Sequence, residues 1–219
     1  MTPAMVRVTA PAEPVVTLEE LREHLRIYPC GSPPESPDDA LIQRLAAIAV
    51  SELDGVDGWL GRALVDQEWQ LTVPAFPWGD NPLLLLLTSP RWGGASPAPV
   101  TVESLEYTDA DGATVVLIEG TDFEVITGAD PQYIRPPYGT CWPSTRCQLD
   151  AVRVRYNAGY GPTGADVPDV IRGYVLLRVG QLYENRELTV TGTIVAPVPY
   201  MRDMLESVRL RGWVCARGD

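Results

Sequence analysis

The 219-residue sequence lacks lysine: all 17 of its basic residues are arginine, and 29 acidic residues give a formal net charge of -12. Without lysine there is no Schiff-base nucleophile, and the Gly-rich run at 159–164 cannot be a P-loop. The acidic balance argues against sequence-independent binding of nucleic acid, which needs clustered Lys and Arg. It favours a surface that repels DNA, although an ordinary acidic soluble protein shows the same balance.

Histidine is almost as scarce, since His24 is the single one in the chain. A two-His metal site is therefore impossible, and nothing near His24 suggests the nucleophile elbow of a catalytic triad. The four cysteines, Cys30, Cys141, Cys147 and Cys215, contain no CxxC pair, which argues against a zinc cluster. Cys141 and Cys147 are near enough in sequence to bridge a small loop, but we expect free thiols in a chain without a secretory signal.

Long apolar runs are also lacking. Residues 1–16 mix Pro, Glu and Ala without the apolar centre of a secretory signal. The leucine run at 83–87 is much shorter than the roughly 20 residues that a membrane span needs. We interpret this run as a buried strand.

The remaining candidate motifs have structural explanations. Residues 109–112 (DADG) resemble the opening of a calcium loop, but carboxylates do not fill its later ligand positions, so a hairpin turn is the better interpretation. The carboxylate pairs at 19–20 and 38–39 open helices, where negative charge meets the positive end of the helix dipole. We therefore predict that the protein is not an enzyme and has no catalytic residues, metal or cofactor.

The first part of the chain has helical periodicity. Residues 1–16 are predicted as a flexible or docking arm, and residues 17–64 as a helical hairpin. Thr17 is a good N-cap, with Glu20 completing a capping box. A second helix is expected to begin near Asp38 and to continue to Leu60, although two glycines weaken its last turns.

Residues 65–160 change to the period of β-strands and are predicted as a β insertion. Trp69, Leu71 and Val73 alternate with polar residues, and similar strand patterns follow along the section. The predicted strands after the leucine run are centred on Val100, Val102 and Leu105, on 115–118, on 123–126, and on Val152, Val154 and Tyr156. Four tryptophans, Trp69, Trp78, Trp92 and Trp142, lie in this section and could form either a sugar-binding face or part of a core or interface.

Helical periodicity returns in residues 161–187, where Pro168 begins a long core helix that ends near Glu184. Residues 188–219 are predicted as a linker followed by a C-terminal helix, from about Tyr200 to Arg211, and a tail. The fold class is therefore α+β: a bundle of about four helices with an inserted antiparallel sheet or small sandwich.

The order of these features resembles the head–tail connector (adaptor) proteins of siphophages and gene-transfer particles, in the branch with a β insertion. The matching segments follow the family's order over most of residues 17–187. They are residues 17–26 (TLEELREHLR) and 39–42 (DALI), 61–64 (GRAL) with 67–69 (QEW) and 76–77 (FP), 151–161 (AVRVRYNAGYG), and 167–168 (VP) with Ile171 and 182–187 (LYENRE).

The resemblance implies a structural virion protein, made in the host cytoplasm and placed at the portal vertex, or neck. There, typically about twelve copies form a ring that binds the portal protein and extends the DNA channel. Genomic DNA passes through without specific binding. The ring offers a platform for the next neck or tail protein, such as a stopper or tail terminator, and no membrane is involved.

The uncharged linker and the apolar face of the last helix are the expected contacts with the portal or a neighbouring copy. The last helix has an alternative role, in which its apolar face packs on the chain's own helix 168–187. The first alternative function is a tail-associated carbohydrate-binding β module. The second is a hydrolase whose carboxylate pair is brought together only by the fold, although no motif in the sequence points to one. The predicted interface residues are Val190, Ile194, Val195, Val198, Tyr200, Met201, Met204, Leu205, Val208, Arg209, Arg211 and Trp213.

Overall fold

The computed structural model describes residues 4–28, 30, 36–85, 100–128, 131–185 and 204–209. The elements in this part of the chain are β1 (Ala4–Thr9), α1 (Leu18–Leu25), α2 (Asp39–Ser51), β2 (Gln67–Val73), β3 (Leu83–Leu84), β4 (Thr101–Thr108), β5 (Thr114–Leu117), β6 (Glu124–Ile126), β7 (Tyr133–Arg135), β8 (Val152–Ala158), a 3-10 turn (Gly164–Asp166) and α3 (Asp169–Glu184). None of these helices has the length and apolarity needed to cross a bilayer.

A five-stranded antiparallel sheet, in the order β1-β2-β8-β4-β5, forms the centre of the β region. Its central strands alternate strictly between buried and partly exposed residues, as expected for a sheet with one face on a core. The inner face carries Leu71, Val154 and Leu105 in one cross-strand row. The outer face is polar, and Arg155 donates to Gln70 across it at 3.1 Å.

A second, three-stranded sheet in the order β3-β7-β6 completes the β core. Leu83, Phe123 and Ile134 join the inner face of the larger sheet in one buried cluster. The leucine run is confirmed as a buried strand only at its start, since Leu84 is exposed and Leu85 is buried after the strand ends. Residues 86 and 87 lie outside the described part.

The three helices form a separate core. The predicted capping box of α1 is confirmed, because the Thr17 hydroxyl accepts from the Glu20 amide and the Glu20 carboxylate accepts from Thr17. Leu21 of α1 and Ile42 of α2 are buried against Ile171 and Val175 of α3. The start of the long helix at Pro168 and its end at Glu184 also agree with the sequence.

Ion pairs with arginine hold the helices to one another. Arg172 of α3 pairs with Glu20 of α1. Arg178 of α3 donates from its Nε and Nη2 atoms to the carboxylate of Glu52, just after α2, at 2.7–3.1 Å. The planar guanidinium can make such two-pronged contacts, whereas an ammonium group cannot.

The predicted number and length of helices need correction. The described residues contain three α-helices instead of about four. Of the predicted last helix they include Met204 and Leu205, which are helical, and residues 206–209, which form a turn and a bend, while its other residues lie outside the described part. The second helix ends at Ser51 instead of near Leu60, because Gly55 adopts a left-handed conformation with φ of 83° and reverses the chain. Leu53 and Leu60 are still buried, although they lie in turns. Their apolar character therefore predicted core positions correctly, but not a helix.

The N-terminal arm also differs from the prediction. Residues Ala4–Thr9 form β1, which pairs antiparallel with β2 at the edge of the larger sheet. Two buried residues, Val15 and Val16, then attach the chain to the helical core. The backbone hydrogen bonds of an edge strand fixed this segment, and they leave little trace in composition.

Candidate assembly surfaces

Asp54 is the most buried carboxylate with described partners, and it joins the two cores. Its Oδ1 atom accepts from the backbone amide of Leu64 and from Nε2 of Gln67, both at 2.9 Å. Arg7 of β1 lies 3.5 Å from Oδ2. Burial raises the pKa of Asp54, while these hydrogen bonds and the arginine partly offset the rise. The arrangement satisfies a buried charge and explains Asp54 as a structural residue.

His24 lies in a contact between helices. Its ring is at 3.4 Å from the position that a Cβ would take on Gly180 of α3, so the missing side chain of Gly180 makes room for it. In the described part of the chain, His, Cys, Asp and Glu form no group of three that could hold a metal ion.

The tryptophans that could have formed a sugar-binding face are placed in different environments. Trp69 and Trp142 are buried, and Trp142 stacks on Phe76 with a centroid distance of 4.5 Å. Trp78 is 91% exposed. Trp92 lies outside the described residues. The described tryptophans therefore do not share one aromatic face.

The predicted interface residues are only partly described. Leu205 and Val208 are buried in the chain's own helical core, and buried Arg62 donates from Nε to the carbonyl of Val208 at 2.8 Å. Met204 is half-buried. Arg209 lies over the ring of Trp59, 4.6 Å from its centroid. The remaining predicted residues, Val190, Ile194, Val195, Val198, Tyr200, Met201, Arg211 and Trp213, lie outside the described part.

The burial of Leu205 and Val208 attaches residues 204–209 to the chain's own core. Both side chains share one buried cluster with Ile171 of α3, which agrees with the alternative role of the last helix, and the contacts with Arg62 and Trp59 add residues from the turn after α2. The sequence marked Leu205 and Val208 as apolar, but periodicity cannot show whether an apolar face meets its own chain or another.

Several exposed apolar side chains are not among the predicted portal or subunit contacts, although Trp78 is one of the four tryptophans considered for a sugar-binding face, a core or an interface. Val6 of β1 and Val116 of β5 lie on the two outer strands of the larger sheet, and both are more than half exposed. Trp78 and Tyr138 are almost fully exposed at the end of the β region farthest from the helices. The alternation of polar and apolar residues gave no signal for Trp78 and Tyr138, because both lie in loops.

Comparison with known proteins gives a match at the level of structure. No protein-family model matches the sequence, and neither does any curated protein. A chain in the neck of an empty gene transfer agent (GTA) particle, computed with C6 symmetry, matches with a TM-score of 0.70 and 21% identity over 94% of this chain and 95% of that one. This chain has the fold of that GTA neck chain.

Two further GTA structures agree. A chain in the neck of the native GTA particle, computed with C12 symmetry, has a TM-score of 0.68 and 22% identity, and a chain in the virion of the native particle has 0.70 and 21%. Both matches cover 94% of each chain. The likeness to the GTA chains therefore includes the helical core and the β core together.

Proposed function

We propose that this protein is a structural head–tail adaptor, which forms a ring beneath the portal of a GTA-like or siphophage-like particle. In this role it extends the DNA channel and carries the next neck or tail protein. The observation that carries the proposal is the shared fold over 94% of this chain with a chain of a GTA neck computed with C12 symmetry. A cyclic symmetry repeats one chain around an axis, which is the arrangement that a ring requires.

The charge of the protein supports a channel that DNA can pass through. The formal net charge is -12 for each copy. A ring of such copies repels the phosphate backbone and does not hold it by counterion release.

The proposed portal contacts are the C-terminal residues that the helical core does not already use. Leu205 and Val208 attach residues 204–209 to the core. Contact with the portal or a neighbouring copy is then left to the linker and the tail. These residues are Val190, Ile194, Val195, Val198, Tyr200, Met201, Arg211 and Trp213, with half-buried Met204 and Arg209 at the border.

The test is to mix the full-length protein with portal-bearing heads and to image the vertices by negative-stain electron microscopy. We expect a ring on the portal, whereas the free protein is monomeric because its ring contacts order on the portal. Heads that remain bare at saturating protein would refute the adaptor role.

Point variants test the C-terminal contact more sharply than a truncation. Truncation after Gly192 should abolish attachment, but it also removes Leu205 and Val208 from the core. We expect Ile194→Asp combined with Trp213→Ala to lower attachment at least about tenfold with unchanged thermal unfolding, as for interface anchors. The control Val116→Ala, on the outer strand β5, should attach normally. Normal attachment of the double variant would exclude these two residues as contacts.

A further inference from the structure

One end of the β region lies far from the helices. Strand β2 begins at Gln67, beside Asp54 and the helical core, and ends at Val73. Strand β8 runs in the opposite direction and starts opposite Val73 at Val152. The segments beyond this end are residues 74–82, 109–113 and 136–151, which we call the distal surface.

The distal surface is one connected structure. Residues 136–151 contain no helix or strand, yet both neighbouring turns hold them in place. Trp142 donates from its backbone amide to the carbonyl of Gly79 at 3.1 Å and from its indole to the carbonyl of Asn81 at 2.9 Å. On the other side, the amide of Arg146 donates to the carbonyl of Thr108 at 3.0 Å.

Three large apolar side chains project from this ordered surface. Trp78 is 91% exposed, Tyr138 is 100% exposed and Leu149 is 67% exposed. At the same end, the rings of partly buried Phe76 and buried Trp142 stack and are parallel to within 2°. The fold therefore packs one pair of aromatic rings against the β core and leaves Trp78 and Tyr138 in solvent. Exposed Trp and Tyr on a rigid support are the usual anchors of protein interfaces.

The charge of the distal surface indicates what kind of partner would cover it. Its charged residues are four aspartates and one arginine: Asp80, Asp109, Asp111, Asp150 and Arg146. The Asp109 carboxylate already accepts from the amides of Asp111 and Ala113, so the turn 109–113 has a fixed shape. A second copy would bring the same negative charge, and DNA would be repelled as well. A basic protein surface complements this pattern.

We propose that the distal surface docks a different protein, whose contact face has an apolar pocket bordered by arginine or lysine side chains. Trp78 and Tyr138 fill the pocket, and the aspartates meet the basic border. This inference rests on the proposed function, in which the C-terminal residues, which Leu205 and Val208 attach to the helical core, face the portal. The distal surface then points towards the tail and selects the next component.

The test uses the full-length protein, portal-bearing heads and detached tails from the same kind of particle. The thiols of Cys141 and Cys147 are exposed on the distal surface and report on docking through maleimide labelling, read by peptide mass spectrometry. Exposed Cys30 precedes α2 and serves as the internal control. We expect tails to protect Cys141 and Cys147, with weaker protection at high salt.

The variant Trp78→Ala/Tyr138→Ala should bind tails at least about tenfold more weakly, because interface anchors carry most of the affinity. It should still form rings on heads, and its thermal unfolding should match that of the wild type because both side chains are exposed. The matched control is Tyr28→Ala, which removes another exposed aromatic ring, 83% exposed, next to α1. Its tail binding should be normal.

Each other outcome overturns the proposal in a recognisable way. Normal tail binding by the double variant, with rings on heads intact, would refute the docking surface and keep the adaptor role. Protection of the two thiols by concentrated protein alone would show that the surface binds a second copy. A wild-type protein that binds neither heads nor tails would refute both the adaptor role and the docking surface.

Discussion

At the scale of single residues, Asp54 shows how a buried charge connects the two cores. It accepts from Leu64 in the turn after α2 and from Gln67 of β2, and it pairs with Arg7 of β1. One strand from far along the chain, β1, thus meets the start of β2 and the turn after α2 at one carboxylate. The sequence offered no signal for this, because Asp54 lies in a stretch that was predicted as helix.

The raised pKa of Asp54 predicts a specific dependence of stability on pH. Burial raises the pKa above its usual value of 3.8. The folded state therefore takes up a proton more readily than the unfolded chain. As the pH falls from about 7 towards 4, the free energy of unfolding of the wild type should rise relative to that of Asp54→Asn. Urea unfolding at a series of pH values measures this difference, and a difference independent of pH would contradict the prediction.

Asp39 is the control with the opposite sign. A hydrogen bond from Arg22, together with the amide of Ser36, lowers the pKa of Asp39 below 3.8. The stability that this carboxylate contributes is present above its usual pKa and is lost as the pH falls through the lowered value. The advantage of the wild type over Asp39→Asn should therefore shrink only below about pH 4.

At the scale of elements, the absence of lysine has a visible structural counterpart. The contacts Arg22–Asp39, Arg172–Glu20 and Arg178–Glu52 connect the three helices. In the Arg178 contact, two different guanidinium nitrogens bind one carboxylate, and the hydrogen bond with Glu52 raises the pKa of Arg178.

Arg178→Lys should lower the free energy of unfolding by up to about 1 kcal/mol, since lysine keeps the charge but loses the second hydrogen bond. The loss is limited because the Arg178 side chain is 28% exposed. Arg135→Lys is the matched control: Arg135 binds Glu124 with two nitrogens at 3.2–3.4 Å, but both side chains are more than 40% exposed. The loss of stability for Arg135→Lys should be smaller. Equal losses of stability in urea unfolding would show that the lower exposure of the Arg178–Glu52 pair does not strengthen it.

Elements with local signals were predictable from the sequence, and those set by distant contacts were not. The capping box at Thr17 and the alternation in β2 and β8 act within a few residues, and both predictions are confirmed. Strand β7 has three residues and β1 lies at a sheet edge, so pairing with remote strands decides both.

The candidate contact surfaces were less predictable than the fold. Trp69, Trp78 and Trp142 are the same residue type in one section of the chain, yet two are buried and one is exposed. Leu205 and Val208 have the spacing of a helix face, but they fill the chain's own core. The exposure of a side chain depends on the folded structure. The sequence therefore identified candidate contact residues but could not show whether their side chains face the core or the solvent.

At the scale of the whole molecule, the chain passes between the helical core and the β core twice, at residues 64–66 and 158–161, and the two segments lie side by side. Tyr160 donates its amide to the carbonyl of Leu64 at 2.9 Å, and Asp66 donates to the carbonyl of Gly161 at 2.9 Å. A Cβ at Gly159 would lie 2.6 Å from the Cα of Asp66. The structure therefore explains the glycine in the run Ala158-Gly159-Tyr160-Gly161, because a residue without a side chain at position 159 lets the two backbone segments approach.

Gly159→Ala should destabilise both cores together, by about 1–3 kcal/mol or more, because the backbone must shift to admit the methyl group. Gly173→Ala is the control, since its new Cβ meets nothing within 4 Å and it lies inside α3. That substitution should stabilise the protein by up to about 1 kcal/mol through helix propensity. Calorimetry should show one transition for Gly159→Ala at a lower temperature. A loss confined to one of two transitions would mean that the cores unfold independently.

The order of the larger sheet also determines how two copies could join edge to edge. Each of its five strands is antiparallel to its neighbours, so β1 and β5 point in the same direction. Rotation about a ring axis would bring β5 of one copy to β1 of the next, and the ladder between them would be parallel, with evenly spaced, slanted hydrogen bonds. A twofold axis would instead pair β1 with β1 in antiparallel fashion. The relative direction of the two strands at such an edge-to-edge contact would therefore show whether a ring axis or a twofold axis relates the two copies.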